Sequence, residues 1–263
     1  MNDDNYINLP RLTRTKHIYR IISVERLLEL FDNRQNVLVK PRRWEDPFEN
    51  FILRARLRLH TGQVTQFGFH DQFYGQCWTL QSASDAIWRI YSPEGKAVRI
   101  RSTIRTVAEG LSKSLGDHAQ IQTYIGKVEY LSQGRLSEFA SGWFPGARNL
   151  RSKNSARTLL VKRLAFKHER EVRLLYFQHD AGRAVGDLYW YSINPHEFIE
   201  QIMIDPRMSE KEADQTKERI LKRTKYRGPI KRSLLYAQPP DLIVQTGTAP
   251  NHSSQLTLAS ERR

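Results

Sequence analysis

The chain has 263 residues, 39% of them hydrophobic and 10% aromatic, which is enough for one large or two small folded domains and excludes a disordered chain. Its formal charge of +14 favours a polyanionic or phosphate-bearing partner, nucleic acid among them. No apolar run approaches the ~20 residues that span a bilayer, the first residues MNDDNYINLP are acidic and polar, and Cys77 is the single cysteine, so the expectation is a cytoplasmic protein with no membrane partner and no internal disulfide.

In chain order, HIYRIIS reads as a first strand, rich in β-branched and aromatic residues. Ser23 then caps a helix, VERLLELFDN, whose Val24, Leu27, Leu28 and Phe31 make one apolar stripe. NVLVKP is a short strand stopped by Pro41. In RRWEDPFENF, Asp46 suits an N-cap, Pro47 the first helical position and Glu49 the third. This capping box predicts a helix over PFENFILRARLRL, with Phe48, Phe51, Ile52 and Ala55 turned inward, and gives Asp46 and Glu49 a purely structural task.

FYGQCWTLQ reads as a buried strand, SASDAIWRIY as a short helix, SPEG as a turn and KAVRIRS as a strand with Val98 and Ile100 alternating. TIRTVAEGLSKSLG is a helix closed by Gly116, and YIGKVEYLS is one strand. The stretch from Gln133 to Asn149, rich in Gly, Ser, Phe and Trp, reads as a long loop: a mobile flap or a surface connection. KNSARTLLVKRLAF is a basic amphipathic helix running into the strand HEREVRLLYFQ. DLYWYSI and FIEQIMID are strands, Ser209 and Glu212 form a capping box for EKEADQTKERILKRT, and PIKRSLLYA closes the fold. Strands and helices interleave without strict alternation. The expectation is an α+β fold, a single mixed-sheet domain over residues 1–237, followed by a flexible C-terminal tail over 238–263 that is rich in Pro, Thr, Ser and Gln.

Several chemistries lack their motifs. No Walker-type or dinucleotide-type glycine loop occurs, no histidines stand at H-x-x-x-H spacing, and one cysteine cannot build a zinc site, so no metal is expected. Cys77 sits in an apolar strand pattern and reads as a buried, inert thiol. What remains is FKHEREVRLLY. In a strand, Glu169, Glu171 and Arg173 would share one face. Like charges so placed repel unless cations or a ligand compensate them, and Lys162, Arg163 and Lys167 stand near. The structural alternative is an edge strand defended by charge. Basic residues are dense around it, with Arg148, Arg151, Lys153, Arg157, Lys162, Arg163, Lys167, Arg170 and Arg173 set against only Glu169 and Glu171.

An ordered series of short motifs resembles the bacterial family of domain of unknown function 2971. The series runs IYR (Tyr19, Arg20), WEDPFE (Trp44 to Glu49), CWT (Cys77, Thr79), WRIYSPEG (Trp88, Tyr91, Gly95), VEY (Val128, Tyr130), Lys162–Phe166–Glu169–Glu171–Arg173, and IMIDP (Asp205, Pro206). Val172 and Glu45 depart from that pattern. More distantly, an Arg on a first strand, a central strand ending at Thr79 and a later E-x-E is similar to the ordering in ADP-ribosyltransferases.

That similarity implies an ADP-ribosyltransferase-like fold and an enzyme that uses NAD as a substrate, by ADP-ribosyl transfer or NAD glycohydrolysis. It also implies the setting of a bacterial toxin or phage-defence protein, with nucleic acid held on the basic surface. Glu171, Glu169 and Arg20 would be catalytic; Tyr19, Arg20, Cys77, Thr79, Trp88, Tyr91 and Arg173 would bind NAD. One carboxylate would steady the oxocarbenium-like ribose and the other would serve the acceptor. Arg20 would answer the pyrophosphate, and an aromatic ring from Trp88, Tyr91 or Tyr19 would stack on nicotinamide. The competing expectations are a basic nucleic-acid-binding module without catalysis, and a nuclease whose E-x-E strand recruits a divalent cation.

Overall fold

The computed structural model describes residues 1–58, 60–66, 71–143, 152–178 and 184–236. The expected tail from Gln238 onward lies outside them. The strands are β1 Tyr6–Ile7, β2 His17–Ser23, β3 Gln35–Val39, β4 Arg56–Arg58, β5 Val64–Gln66, β6 Phe73–Thr79, β7 Ala97–Thr103, β8 Thr123–Lys127, β9 Glu129–Leu131, β10 Val161–Arg163, β11 Glu171–Phe177, β12 Ala184–Val185, β13 Leu188–Ser192, β14 Gln201–Ile204 and β15 Ile230–Arg232. The α-helices are α1 Val24–Asn33, α2 Asp85–Tyr91, α3 Ile104–Leu115, α4 Ala119–Gln122, α5 Gln133–Trp143, α6 Ser152–Thr158, α7 Pro195–Phe198 and α8 Glu210–Thr224.

The fold is α+β, organised by an 11-stranded mixed sheet with the path β1-β8-β11-β6-β2-β7-β14-β15. β3 branches from β6 and carries β13 and β12. The β1–β8 and β14–β15 pairs are parallel and the other pairs of this sheet antiparallel. One face meets α1, α3 and α8, where Leu27, Phe31, Val107, Leu111 and Ile220 pack on Ile18, Ile100, Val172 and Leu174. The opposite face of β11 offers Leu175 and Phe177 to Leu53, Phe73, Leu159 and Leu160. Period-two alternation therefore places Glu171 and Arg173 on the same side as this smaller core.

The sheet splits beside β6. β2 meets β6 at a single pair, Tyr19 opposite Thr79, and β3 meets it at Val39 opposite Gly75. Between those points the backbone edge of Gln76 to Trp78 joins neither strand's ladder. Side-chain amides close the gap on the large-core side. Gln76 Nε2 donates to Val37 O (2.7 Å) and Asn36 Oδ1 (2.8 Å), and Asn36 Nδ2 donates to Tyr191 OH (2.8 Å). On its other side the split opens into a cleft.

Local signals predicted several elements well. Ser23 accepts from Arg26 N and starts α1, Gly116 ends α3, and Ser209 with Glu212 forms the capping box of α8. Others were overridden by tertiary pairing. The expected helix over residues 47–59 is a 3-10 turn, Pro47–Asn50, followed by β4, which pairs with β5. Asp46 does cap it, but Glu49 does not complete a box, because its carboxylate turns to buried cations.

The expected strand over 124–132 breaks at Val128, whose N–H donates to Glu171 O, so that β8 joins the large sheet and β9 a small one with β10. The expected loop from Gln133 holds α5, with Leu136 and Ala140 buried; residues 144–149 lie outside the described chain. The expected helix over 153–166 stops at Thr158, because the next residues pair with β9. β11 starts at Glu171, after Arg170 turns through the left-handed region (φ 46°), and Glu169 ends a 3-10 helix. β11 lies between β8 and β6, so the edge-strand expectation is corrected. Phe198 belongs to α7, capped by Asn194, and only Ile230–Arg232 of the expected last segment is strand.

Candidate active-site cleft

The cleft at the sheet split encloses about 290 Å³, at the lower end of the roughly 300–1,000 Å³ usual for ligand pockets. Its walls include Tyr19, Arg20, Cys77, Thr79, Tyr91, Glu169 and Glu171, so seven of the nine residues singled out by sequence border one space. The other two do not line it. Arg173 lies beneath, with 0% exposure, and Trp88 is 1% exposed in a separate core with Ile21, Ile87 and Ala97. A wider groove of about 630 Å³ between α1 and α8 meets the cleft at Tyr91, and its acids and bases are solvent-facing side chains such as Glu25 and Arg219.

At one end of the cleft three carboxylates share two cations. Lys162 Nζ lies 2.9 Å from Glu49 Oε1 and 2.7 Å from Glu171 Oε1, and donates to Glu169 Oε2. Arg173 spends its donors on Glu171 Oε2 (2.6 Å), Glu49 Oε2 (2.7 Å) and Leu159 O (2.8 Å). The like-charge repulsion expected of the E-x-E is thus answered by Lys162. It is not answered by Arg163, which turns to Asp46 (2.8 Å).

The backbone around this cluster is equally fixed. Thr79 Oγ1 donates to Glu169 O (2.5 Å), and Glu171 N donates to Tyr130 OH (2.8 Å). Both oxygens of Glu171 are committed to cations. Among the described residues Glu169 Oε1 meets only the Tyr91 hydroxyl, at 3.4 Å, which makes it the open carboxylate oxygen of the cleft.

One negative charge more than the cations can match divides the two carboxylates. Burial, then hydrogen bonding and repulsion from Glu171, push the Glu169 carboxyl above its ordinary range. Burial alone would raise Glu171 too, but Arg173, the Glu169 hydrogen bond and Lys162 outweigh it and hold Glu171 ionised. Burial also raises Glu49 against the pull of Arg173 and Lys162. The Cys77 thiol is raised by burial and by Glu171, which makes it a poor nucleophile.

Across the cleft Arg20 stands differently. It follows the lone β2–β6 pair, at the point where the strands part. Burial lowers its pKa, and no ion pair or hydrogen bond ties its guanidinium to a described residue. An unmatched cation in a partly buried site favours an anionic ligand.

Sequence reasoning missed Glu49 and Trp44 as members of the site. Both stand in the WEDPFE motif, but a local cap explained Glu49 well enough to hide it. The dense basic segment is not one open patch either, since Lys162 is 5% and Arg173 0% exposed. Among the described residues no helix is long and apolar enough to cross a membrane.

No protein-family model matches the chain, so membership of the domain of unknown function 2971 family is not shown, and no curated protein matches it. Among solved structures the chain is similar to DarT from Thermus sp. 2.9 in complex with NAD+, at 13% identity over 86% of this chain and 98% of that one, with a TM-score of 0.39. It is also similar to the same protein with ADP-ribosylated ssDNA, at 12% identity over 86% and 95% of the two chains, with a TM-score of 0.37.

Proposed function

We propose that this chain cleaves the nicotinamide–ribose bond of NAD and passes the ADP-ribosyl group to an acceptor, or to water. The observation that carries the reading is the pairing within one cleft of Arg20, an unmatched cation, with Glu171 and Glu169, carboxylates divided into an ionised and a proton-holding member. A pyrophosphate suits the first and a ribose that becomes cationic suits the second.

In this reaction the C1′–N bond breaks with its electron pair leaving on the pyridinium nitrogen, so nicotinamide departs neutral. The fixed charge of Glu171 stabilises the oxocarbenium-like ribose. The acceptor's oxygen or nitrogen bonds to C1′, and its proton passes to the open oxygen of Glu169 in molecules whose Glu169 has first released its own proton to solvent. Thr79 and Tyr91 position Glu169 through the contacts described above, while Arg173 and Lys162 hold Glu171.

A divalent-cation nuclease fits the donor set less well, because Lys162 Nζ occupies the point where the three carboxylates would share a metal. The test is incubation of the purified protein with NAD and quantification of released nicotinamide. Glu171→Gln is expected to abolish release while the melting curve stays cooperative; normal turnover in that variant discards the assignment.

A further inference from the structure

The motifs WRIYSPEG and IMIDP meet outside the cleft, at the C-terminal end of α2. α2 has seven residues, and isolated helices below about 12–15 residues do not hold themselves in water. Its Ile87 and Tyr91, one turn apart, border the cleft, while Trp88 is core. The last turn is held from outside. Arg207 Nη2 donates to Trp88 O (3.2 Å) and to Ser92 O, at the end of the helix where its dipole favours a cation. Ser92 Oγ donates to Asp205 Oδ2 (2.7 Å), which also takes Arg207 Nη2 (2.8 Å). Asp205 is fixed to the sheet in turn, since its N–H donates to Ala97 O at the start of β7 (3.1 Å). Gly95 turns the chain back from Ser92 into β7 through the left-handed region (φ 70°), which favours glycine.

Resting on the NAD reading above, we propose that Asp205 is a positioning residue: through Ser92 and Arg207 it fixes the last turn of α2 and so holds the Tyr91 hydroxyl at Glu169. That hydroxyl lies 3.4 Å from Glu169 Oε1, the oxygen assigned the acceptor's proton. Tyr91 directly precedes Ser92, so a shift of one moves the other. Asp205, Ser92 and Arg207 do not line the cleft, and a change in them reaches the reaction through α2. Arg20 and Glu171 stand on β2 and β11, outside this chain of contacts, so loosening it costs turnover rather than the hold on NAD.

The test is nicotinamide release at limiting and saturating NAD. Asp205→Asn should lower kcat about ten-fold and leave the KM for NAD within about two-fold. Tyr91→Phe should lower kcat about as much. The double variant should turn over like Tyr91→Phe alone, because the hydroxyl that the knot positions is already gone; a knot that only stabilises the fold would cost the same factor in both backgrounds. Ser92→Ala deletes one hydrogen bond, should lower kcat about three-fold, and covers the case in which Asp205→Asn fails to fold.

Native kcat in a folded Asp205→Asn, or in Ser92→Ala where the first variant does not fold, overturns the proposal. So does a loss expressed in KM alone, or losses that multiply in the double variant. In a native protein that releases no nicotinamide the NAD reading falls instead, and amide hydrogen exchange decides the clamp: α2 amides should exchange faster in Ser92→Ala, and unchanged exchange overturns it.

Discussion

Two buried acid–base knots stand on opposite sides of β2, and they are built to different rules. In the first, Asp205 (0% exposed) accepts from Ser92 Oγ (2.7 Å) and from Arg207 N (3.0 Å), Nε (3.0 Å) and Nη2 (2.8 Å), while Arg207 also reaches Trp88 O (3.2 Å). One acid meets one base, every oxygen is used, and the knot ties α2 to the segment after β14. In the second, three acids meet two bases and one oxygen is left facing a cleft. The lesson is that burial and ionic contact alone do not mark a site. An unmatched charge and an unspent lone pair do, because folding gains nothing from leaving them so.

The contrast can be broken most severely at Lys162. Lys162→Met should leave three carboxylates around an apolar stem and cost about 3–5 kcal/mol of stability, read by urea unfolding. An unchanged midpoint would mean that the open knot is no more strained than the closed one. Next, Glu169→Gln should lower nicotinamide release by about 10²-fold while keeping a native melting curve. In the native enzyme kcat/KM should rise with pH as Glu169 loses its proton, and the variant should lose that limb; a limb that persists in Glu169→Gln would detach the proton transfer from this residue.

Glu169 and Asp205, one from each knot, should also respond to pH with opposite sign. The folded chain holds the Glu169 proton more tightly than the unfolded chain does, so stability should fall as pH climbs from the ordinary carboxylate range to the raised folded value. Asp205 is buried, yet its hydrogen bonds from Arg207 and Ser92 depress its pKa. Its contribution is complete above the ordinary aspartate range and is lost as pH falls through the folded value. Melting curves of Glu169→Gln and Asp205→Asn across pH separate the two, and parallel profiles would erase the distinction.

Arg20→Gln should raise the KM for NAD about ten-fold with little change in the melting curve, since no described residue depends on that charge. The smallest effect belongs to the exposed pair Arg223–Asp32, 2.7 Å apart on the outside of α8. Asp32→Asn should leave both the melting temperature and turnover where they were.

What the sequence determined by itself lies within a few residues of chain. The strand His17–Ser23, the Ser23 cap, the stop at Gly116, the Ser209–Glu212 box and the shared face of Glu171 and Arg173 all follow from local geometry, which acts over one turn or one pleat. The α+β class followed from the order of those elements, and the need for cations beside the E-x-E followed from charge.

Tertiary structure alone decided the rest. Glu49 is 124 residues from Arg173, and its local role as a cap was plausible until a buried guanidinium offered a stronger partner. The helix expected over 153–166 stops at Thr158 because pairing of Val161–Arg163 with β9 outweighed its propensity. The sequence offered Trp88 for stacking and gave no such part to Trp44. One became core and the other a cleft wall because the sheet splits beside β6, and the place of that split is set by contacts between strands far apart in the chain.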